Sequence, residues 1–186
     1  MTDDITWWRF DNAVDSKTCN RIIKLAEKKW NTATTKGKEG QKKRKTNISW
    51  TTEQWLYDLV FEYMISANQQ SGWNFEVDAA EEMQIGKYSK GCHYDYHQDG
   101  DGVTIYNTPE NNWLNGKTRK LSMSILLNEG FEGGDFKFYG DTETALKEKA
   151  KGSVLVFPSY MQHCVEKITK GNRYSLVAWF LGPKFK

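Results

Sequence analysis

The sequence is poor in cysteine and in long apolar runs, and each shortage excludes a class of protein. Its 186 residues contain three cysteines, an odd number without a Cys-x-x-Cys pair, which argues against a disulfide framework and against a cysteine zinc site. The longest apolar runs, such as residues 176–181, are far shorter than the roughly 20 residues that a membrane helix needs. We therefore expect reduced thiols and no membrane segment.

The sequence also lacks an excess of charge of one sign and a secretory leader. Lys and Arg total 26 against 24 Asp and Glu, so only a local patch could recognise nucleic acid, and nucleic acid is not the partner that we expect. The first residues carry Asp3 and Asp4 where a signal peptide has basic residues, and no apolar segment follows them. The expected location is the cytoplasm.

Aromatic residues, in contrast, make up 14% of the chain, which excludes intrinsic disorder as its overall state. Two amphipathic helices are predicted in the first part of the chain. Asp15 and Ser16 cap the first, in which apolar residues recur at helical spacing from Cys19 to Trp30. The second begins at a capping box, Thr51-Thr52-Glu53-Gln54, and ends near residues 71–72.

From residue 79 onward, short alternating or apolar segments replace the helical periodicity. Turn signals such as Gly133-Gly134 separate them, and they predict strands over the following residues: 82–88, 120–127, 134–139, 153–157, 163–168 and 173–181. Helices followed by many short strands predict an α+β fold in which helices pack on a β-sandwich or jelly roll. Residues 1–186 are expected to form one domain, with a helical support over 1–78 and a β core over 79–186.

Two polar segments are candidates for substrate contact. The cationic residues 36–45 are either a solvated charge run or a loop that touches substrate, with Arg44 as the candidate residue. Residues 100–118 are long for a structureless connection and predict a lid or binding loop, in which Tyr106 and Trp113 are the candidate substrate-binding residues.

All three histidines lie in the β-rich half of the chain. Residues i and i+2 of an extended segment share a face, so His97 and Asp99 can form a two-point chelate, to which His163 adds a third ligand. Two histidines and one carboxylate on one face of an octahedral metal leave three open positions, as in non-haem Fe(II) oxygenases. His93 and Asp95 form a competing pair, four residues earlier and on the same strand parity, and a hydrogen-bonded turn is the other interpretation of such pairs.

Ten residues after His163, an arginine and a serine share one face of an apolar strand. Arg173 and Ser175 together would form a receptor for a carboxylate, and a buried arginine there would be unfavourable without an anion. The alternative is a surface arginine on an edge strand. Trp179 lies on the same face and either closes the cavity beside the metal or belongs to the core.

These motifs together resemble the prolyl 4-hydroxylase-like group of Fe(II)/2-oxoglutarate dioxygenases. The resemblance is carried by Tyr88-x2-Gly91-x2-Tyr94-x2-His97-x-Asp99 and by residues 119–128, 131–138, 152–158, 163–165 and 171–179. Residues 44–50 and 74–77 are also similar to the amino-terminal part of the group.

The resemblance implies a cupin-like, double-stranded β-helix with the N-terminal helices packed on its major sheet. It implies Fe(II) bound by His97, Asp99 and His163, because the spacing from Tyr88 selects this pair over the one at His93. Dioxygen is then a co-substrate, and ascorbate is the reductant in such enzymes.

The resemblance also implies 2-oxoglutarate as co-substrate, with its distal carboxylate on Arg173 beside Ser175 and with Tyr88 as a hydrogen-bond donor. The implied activity is hydroxylation of a prolyl residue in a peptide or protein, with succinate and CO2 as co-products. Other substrates within the superfamily stay open, although nucleic-acid demethylases carry a second arginine where this chain has Trp179. A non-catalytic jelly-roll binding module is the remaining alternative, and Asp99 argues against a halogenase.

Overall fold

A computed structural model describes residues 6–27, 29–33, 43–140 and 150–185. The helices are α1 (Ser16–Ala26) and α2 (Gln54–Gln70). The strands, in chain order, are β1 Trp8–Phe10, β2 Asn31–Thr32, β3 Arg44–Lys45, β4 Asn47–Thr51, β5 Ala79–Ala80, β6 Met83–Ser89, β7 His93–His97, β8 Lys117–Leu126, β9 Glu132–Gly133, β10 Phe136–Phe138, β11 Val154–Pro158, β12 His163–Val165, β13 Ile168–Lys170 and β14 Asn172–Pro183. Residues 36–42 of the predicted cationic segment lie outside the described residues.

Two antiparallel sheets form the body of the described structure. The large sheet has the order β1-β11-β8-β14-β6-β4-β2, and β5 pairs with β14 beside this path. The small sheet has the order β10-β12-β7-β3, and β9 and β13 form a separate two-stranded ribbon. The two sheets enclose an apolar cluster that includes Phe136 and Phe138 of the small sheet with Leu155 and Phe157 of the large one.

Strand β8 shows how the large sheet separates its two faces. Leu121, Met123 and Ile125 belong to the apolar cluster that also contains the buried faces of the helices. Side chains alternate between faces along a strand, so Ser122 and Ser124 point to the other face, towards the small sheet. The inner face of this strand is therefore partly polar although it is buried.

Strand β14 follows the same alternation, and it brings charge into the space between the sheets. Leu176, Ala178 and Phe180 pack in the helix-side cluster. The odd-numbered residues face inward, and two of them, Arg173 and Ser175, are polar and each only 2% exposed. A guanidinium is thus buried on the inner face of a central strand.

Both helices pack on the outer face of the large sheet. The Asp15 carboxylate caps α1 as predicted, because its Oδ1 accepts hydrogen bonds from the backbone N–H groups of Lys17 and Thr18 at 2.8 and 3.0 Å. The buried helical residues in the shared cluster are Cys19, Ile22, Ala26, Leu56, Val60, Met64 and Ala67. No helix among the described residues is both long enough and apolar enough to cross a bilayer.

The predicted capping box of α2 is wrong. Thr51 is the last residue of β4 and pairs with Met83 of β6, so it is part of the sheet. Two residues lie between it and Gln54, the first residue of the helix. The residue at the N-cap is Glu53, and its side chain makes no capping hydrogen bond. Thr51 therefore pairs within the sheet and does not cap the helix, contrary to the prediction from the local pattern.

The segment between β7 and β8 is folded on itself. The Asp101 carboxylate accepts hydrogen bonds from the backbone N–H groups of Val103 and Thr104 at 2.9 and 2.7 Å. Further along, the Tyr106 N–H donates to the Lys117 carbonyl at 2.8 Å. These bonds give a defined shape to the segment that was predicted as a long binding loop.

Candidate active site

The three predicted metal ligands lie together at one end of the small sheet. His163 of β12 is paired in register with His97 of β7, and Asp99 follows two residues after β7. The Nε2 atom of His97 lies 3.7 Å from Oδ1 of Asp99, and the Nε2 atom of His163 lies 3.6 Å from Oδ2. One potential ligand atom from each residue lies within 4.8 Å of the other two. The structure therefore brings the His-Asp-His set together.

Main-chain carbonyls orient both imidazoles in the same way. Nδ1 of His97 hydrogen-bonds to the Asp95 carbonyl at 2.8 Å, and Nδ1 of His163 hydrogen-bonds to the Met161 carbonyl at 2.9 Å. With Nδ1 as the N–H donor, each Nε2 keeps a lone pair directed at the carboxylate of Asp99. This arrangement is typical of histidines that bind a metal.

The protonation states also suit a divalent cation. Burial and, to a smaller extent, the neighbouring His163 lower the pKa of His97 to about 4, so the imidazole is neutral at pH 7. Burial raises the pKa of Asp99, but His163, His97 and Arg119 lower it more, so the net shift is downward and the carboxylate is ionised. Its Oδ2 atom is buried and accepts no hydrogen bond from any described residue. A neutral His97 imidazole beside an ionised carboxylate with an unsatisfied oxygen fits a divalent transition metal.

A β-bulge explains why the competing pair at His93 is not part of this set. In the pairing of β7 with β12, His163 lies opposite His97 and Val165 lies opposite Tyr94. An advance of two residues along β12 therefore corresponds to three residues along β7. The extra residue reverses the parity of β7, which places Tyr94 on the same side as His97. The strand-parity argument, which assumed a regular strand, therefore fails at His93.

The bulge also creates a stack beside the candidate metal ligands. The ring of Tyr94 lies 3.5 Å from the His97 ring, centroid to centroid, at an interplanar angle of 12°. The guanidinium carbon of Arg44 lies 4.5 Å from the centre of the Tyr94 ring on β7. The other imidazole, that of His163, stacks on the ring of Phe136 with 5.2 Å between the ring centres. Aromatic contacts thus hold both imidazole planes.

Arg173 occupies the same cavity and has an unsatisfied donor. Its Nη1 donates to the Ser175 hydroxyl at 3.0 Å, whereas its Nη2 is buried and has no hydrogen-bond partner in the part of the chain that the structure describes. Tyr88 faces it from the neighbouring strand, with its ring centre 5.7 Å from the guanidinium carbon. Burial lowers the pKa of Arg173 from its ordinary value. A buried cation with a free N–H group fits a carboxylate ligand.

One cavity of about 380 Å³ joins these groups. The predicted residues that line it are Tyr88, His97, Asp99, His163, Arg173, Ser175, Arg44 and Trp179. A Cβ at Gly86 would lie 3.2 Å from the Tyr88 ring and 3.6 Å from the Ser175 hydroxyl, so this glycine keeps the Arg173 end of the cavity open. The cavity has room for a metal ion and a small dicarboxylate.

The two predicted loop residues lie elsewhere. Tyr106 lines an adjoining groove of about 370 Å³ that shares Asp99 and Arg119 with the main cavity. Trp113 does not line either space. It lies in a separate groove beside α2, where its indole N–H donates to the Ala80 carbonyl at 3.4 Å.

Trp50 and Arg119 are among the residues of the cavity wall that sequence reasoning missed. Trp50 is 45% exposed and lies at the rim, where its ring centre is 6.0 Å from that of Trp179. Arg119 lies between the main cavity and the groove, with its guanidinium carbon 4.4 Å from the centre of the Trp179 ring. Both fall within segments that carried the resemblance, but nothing in their local pattern assigned them a role.

A two-sheet fold with two histidines and one carboxylate at a cavity defines a class, the non-haem iron oxygenases. A family model of the 2OG-Fe(II) oxygenase superfamily matches residues 83–181, which contain the His-Asp-His set and Arg173. The chain belongs to this superfamily. The predicted family is thus confirmed, together with the Fe(II) and 2-oxoglutarate for which it is named and the dioxygen that an oxygenase uses.

Curated relatives agree over part of their length. The chain is 33% identical over 96 residues to a PKHD-type hydroxylase of Alteromonas mediterranea, a match that spans 50% of this chain and 40% of that protein. It is 25% identical over 141 residues to the PKHD-type hydroxylase YbiX of Shigella sonnei, which spans 73% of this chain and 60% of that protein. The chain therefore matches less than two thirds of the length of either relative.

Solved structures show the same fold at low sequence identity. A prolyl-4-hydroxylase of Pseudomonas putida superposes with a TM-score of 0.68 at 19% identity, covering 94% of this chain and 91% of that one. The 2OG complex of a viral collagen prolyl hydroxylase from Paramecium Bursaria Chlorella virus-1 has a TM-score of 0.65 at 18% identity, covering 98% of each chain. The predicted jelly-roll class is thereby supported.

Proposed function

We propose that this protein is an Fe(II)- and 2-oxoglutarate-dependent dioxygenase that hydroxylates a prolyl residue in a peptide or protein. One observation carries the proposal. A His-Asp-His set with an unsatisfied carboxylate oxygen and a buried arginine with an unsatisfied N–H group line the same cavity. A non-catalytic binding module has no need of both sites together.

In this proposal His97, Asp99 and His163 hold the ferrous ion. Arg173 binds the distal carboxylate of 2-oxoglutarate through its free Nη2, Ser175 fixes the guanidinium through Nη1, and Tyr88 closes that end of the cavity. When bound, Fe(II) and 2-oxoglutarate supply oxidative chemistry that puts one oxygen atom of O2 into a C–H bond and yields succinate and CO2. The rings around the imidazoles exclude water, and ascorbate serves as the reductant.

The wall opposite the metal ligands suits a prolyl substrate. Trp50 and Trp179 present aromatic faces to the cavity, and a proline ring packs well on such faces. Trp179 and Arg44 also carry buried N–H groups, at Nε1 and Nε respectively, that have no partner among the described residues. These donors are available to the carbonyl groups of an extended peptide.

The names of related proteins support the same substrate class. A solved structure with a TM-score of 0.63 and 14% identity is a prolyl hydroxylase of Trichoplax adhaerens in complex with a hypoxia inducible factor oxygen degradation domain peptide fragment. It covers 94% of this chain and 83% of that one. A proline-containing peptide or protein is therefore the partner that we propose.

The metal and co-substrate sites are tested by anaerobic addition of Fe(II) and 2-oxoglutarate. The expected result is a visible charge-transfer band that His97→Ala abolishes and that Ser66→Ala, a substitution on α2 outside the cavity, leaves in place. Absence of the band from folded protein, or its persistence in His97→Ala, would contradict the proposal.

The substrate class is tested separately with a peptide library. Succinate formation that rises with proline peptides, together with the gain of one oxygen atom on proline by mass spectrometry, is the expected result. Decarboxylation stimulated only by methylated oligonucleotides would indicate a demethylase, and no decarboxylation under any condition would indicate a binding module.

A further inference from the structure

The main chain of Asp99 is held on both sides of its Cα atom. Its N–H donates to the Ser159 carbonyl at 3.1 Å, and its own carbonyl accepts a hydrogen bond from Nη1 of Arg119 at 2.8 Å. Fixing both peptide groups leaves only the side-chain torsions of Asp99 free. The position of its carboxylate therefore depends on where Arg119 lies.

Arg119 is in turn fixed by a single acidic partner. Its Nε and Nη2 donate to the two carboxylate oxygens of Glu81, each at 2.6 Å. Burial lowers the pKa of Arg119, but the hydrogen bonds and charge of Glu81 raise it more, so the net shift is upward and the side chain stays charged. This bidentate pair uses two of the three guanidinium nitrogens and leaves the third, Nη1, for the Asp99 carbonyl.

The same carboxylate also binds the segment after β7. The Tyr106 hydroxyl donates to Oε1 of Glu81 at 2.7 Å, and the Tyr106 N–H and C=O pair with the carbonyl of Lys117 and the N–H of Gly116, each at 2.8 Å. Residues 98–116 begin beside the candidate metal ligand. Tyr106, in the middle of this segment, thus links it to Arg119 through the Glu81 carboxylate.

We propose that Arg119 is a positioning residue for the metal ligand Asp99, and that Tyr106, through Glu81, couples residues 98–116 to the metal site. The inference rests on the proposed function, since it assumes that Asp99 binds the metal. Metal affinity and the order of this segment then depend on one another, because coupling between two sites is reciprocal.

A pair of tyrosines provides a matched test. Both Tyr106 and Tyr57 donate a hydroxyl to Glu81, but Tyr57 donates to its backbone carbonyl, at 3.1 Å, and makes no bond to the carboxylate. Tyr106→Phe and Tyr57→Phe each remove one hydroxyl that contacts this residue. Only the first should loosen the Glu81–Arg119 pair.

In the experiment, metal-free protein is titrated with Mn(II), and the concentration of unbound Mn(II) is measured by electron paramagnetic resonance to give the dissociation constant. Hydrogen exchange of residues 98–106 is measured with and without Mn(II). We expect Tyr106→Phe to weaken Mn(II) binding about 3-fold or more and to remove the protection that Mn(II) gives this segment, with Tyr57→Phe unchanged. Arg119→Met and Arg119→Lys should weaken Mn(II) binding by about 10- to 100-fold, the usual effect of losing an outer-shell partner of a metal site.

Several outcomes overturn the inference. One is Mn(II) binding by Tyr106→Phe, or by a folded Arg119 variant, that equals the wild type. Another is an equal effect of Tyr57→Phe and Tyr106→Phe, which would indicate a general loss of packing around Glu81. If the Arg119 variants do not fold, the tyrosine pair still decides. Failure of wild-type protein to bind Mn(II) better than His97→Ala overturns the proposed function as well, which separates the two failures.

Discussion

Arg173 is the residue whose chemistry is easiest to test alone. Loss of a charge-assisted hydrogen bond from its free Nη2 should weaken 2-oxoglutarate binding to Arg173→Met by about 10- to 100-fold. Ser175→Ala, which removes only the neutral partner of Nη1, should weaken it by about 3- to 10-fold. Calorimetric titration with 2-oxoglutarate in the presence of Mn(II) measures both. Mn(II) affinity alone should be unchanged, and equal 2-oxoglutarate binding by all three proteins would place its distal carboxylate elsewhere.

Gly134 supports Arg173 through its lack of a side chain. A Cβ there would lie 2.2 Å from Cδ1 of Ile168 and 3.2 Å from Cδ of Arg173, whereas a Cβ at Gly140 meets no atom of the described residues within 4 Å. Both glycines have positive φ, 68° and 86°, so Ala carries a similar backbone strain at each.

Gly134→Ala should therefore lower stability by about 1–3 kcal/mol more than Gly140→Ala, because it adds overpacking to the shared strain. It should also weaken 2-oxoglutarate binding, since the arginine must shift. Urea denaturation and ligand titration of the two variants measure these effects. Identical behaviour of the two would show that the contact with Arg173 has no influence on the site.

At the residue scale, the sequence predicted the set that depends on local spacing. His97 and Asp99 are two residues apart, so a local pattern could find them, and the structure brings them to His163. Arg119 and Glu81 are separated by 38 positions and meet only through the sheet, so no local pattern could pair them. Their roles, like those of the predicted ligands, stay predictions until the variants are measured.

Helix α2 begins without a side-chain cap, which leaves room for a stabilising substitution. Glu53 has the extended backbone of an N-cap residue, with φ −61° and ψ 121°. Glu53→Ser should supply the missing acceptor and raise the free energy of unfolding by about 0.5–1 kcal/mol. Glu53→Gln, which changes the charge but gives no favoured cap, is the control. Urea denaturation measures both, and equal gains would show that the charge of Glu53 matters and the cap does not.

The elements that the sequence failed to predict are short strands that take their stability from distant partners. β1 pairs with β11, and β4 pairs with β6, across long stretches of chain. β2 and β3 contain only two residues each, which are too few to show the alternation of side chains that identifies a strand. The longer strands β6, β8, β11 and β14 were predicted, because each is long enough to show alternation or a continuous apolar run. The division at residue 78 stays a prediction, with four strands before it in the two sheets.

At the scale of the whole molecule, the candidate site spans both sheets. His97 and His163 belong to the small sheet, and Arg173 with Ser175 belongs to the large one. A dicarboxylate that reaches from Arg173 to a metal on the histidines would link the sheets and stabilise the folded state by mass action.

At concentrations near 100 times their dissociation constants, Mn(II) and 2-oxoglutarate together should raise the melting temperature by about 10–20 °C, of which each ligand supplies about half. Differential scanning calorimetry measures the shift. His97→Ala should lose most of it, and Arg173→Met should keep the shift from Mn(II) and lose the addition from 2-oxoglutarate. A shift from 2-oxoglutarate that survives in Arg173→Met would show that the ligand does not bridge the sheets.

The bulge in β7 makes the site sensitive to chain length. Because Tyr94 and His97 reach the same side only through one surplus residue, shortening this stretch by a single position would turn either the tyrosine or the imidazole towards solvent. We therefore expect insertions and deletions here to be far more damaging than most substitutions. The number of residues between these two side chains determines whether the imidazole can reach the metal.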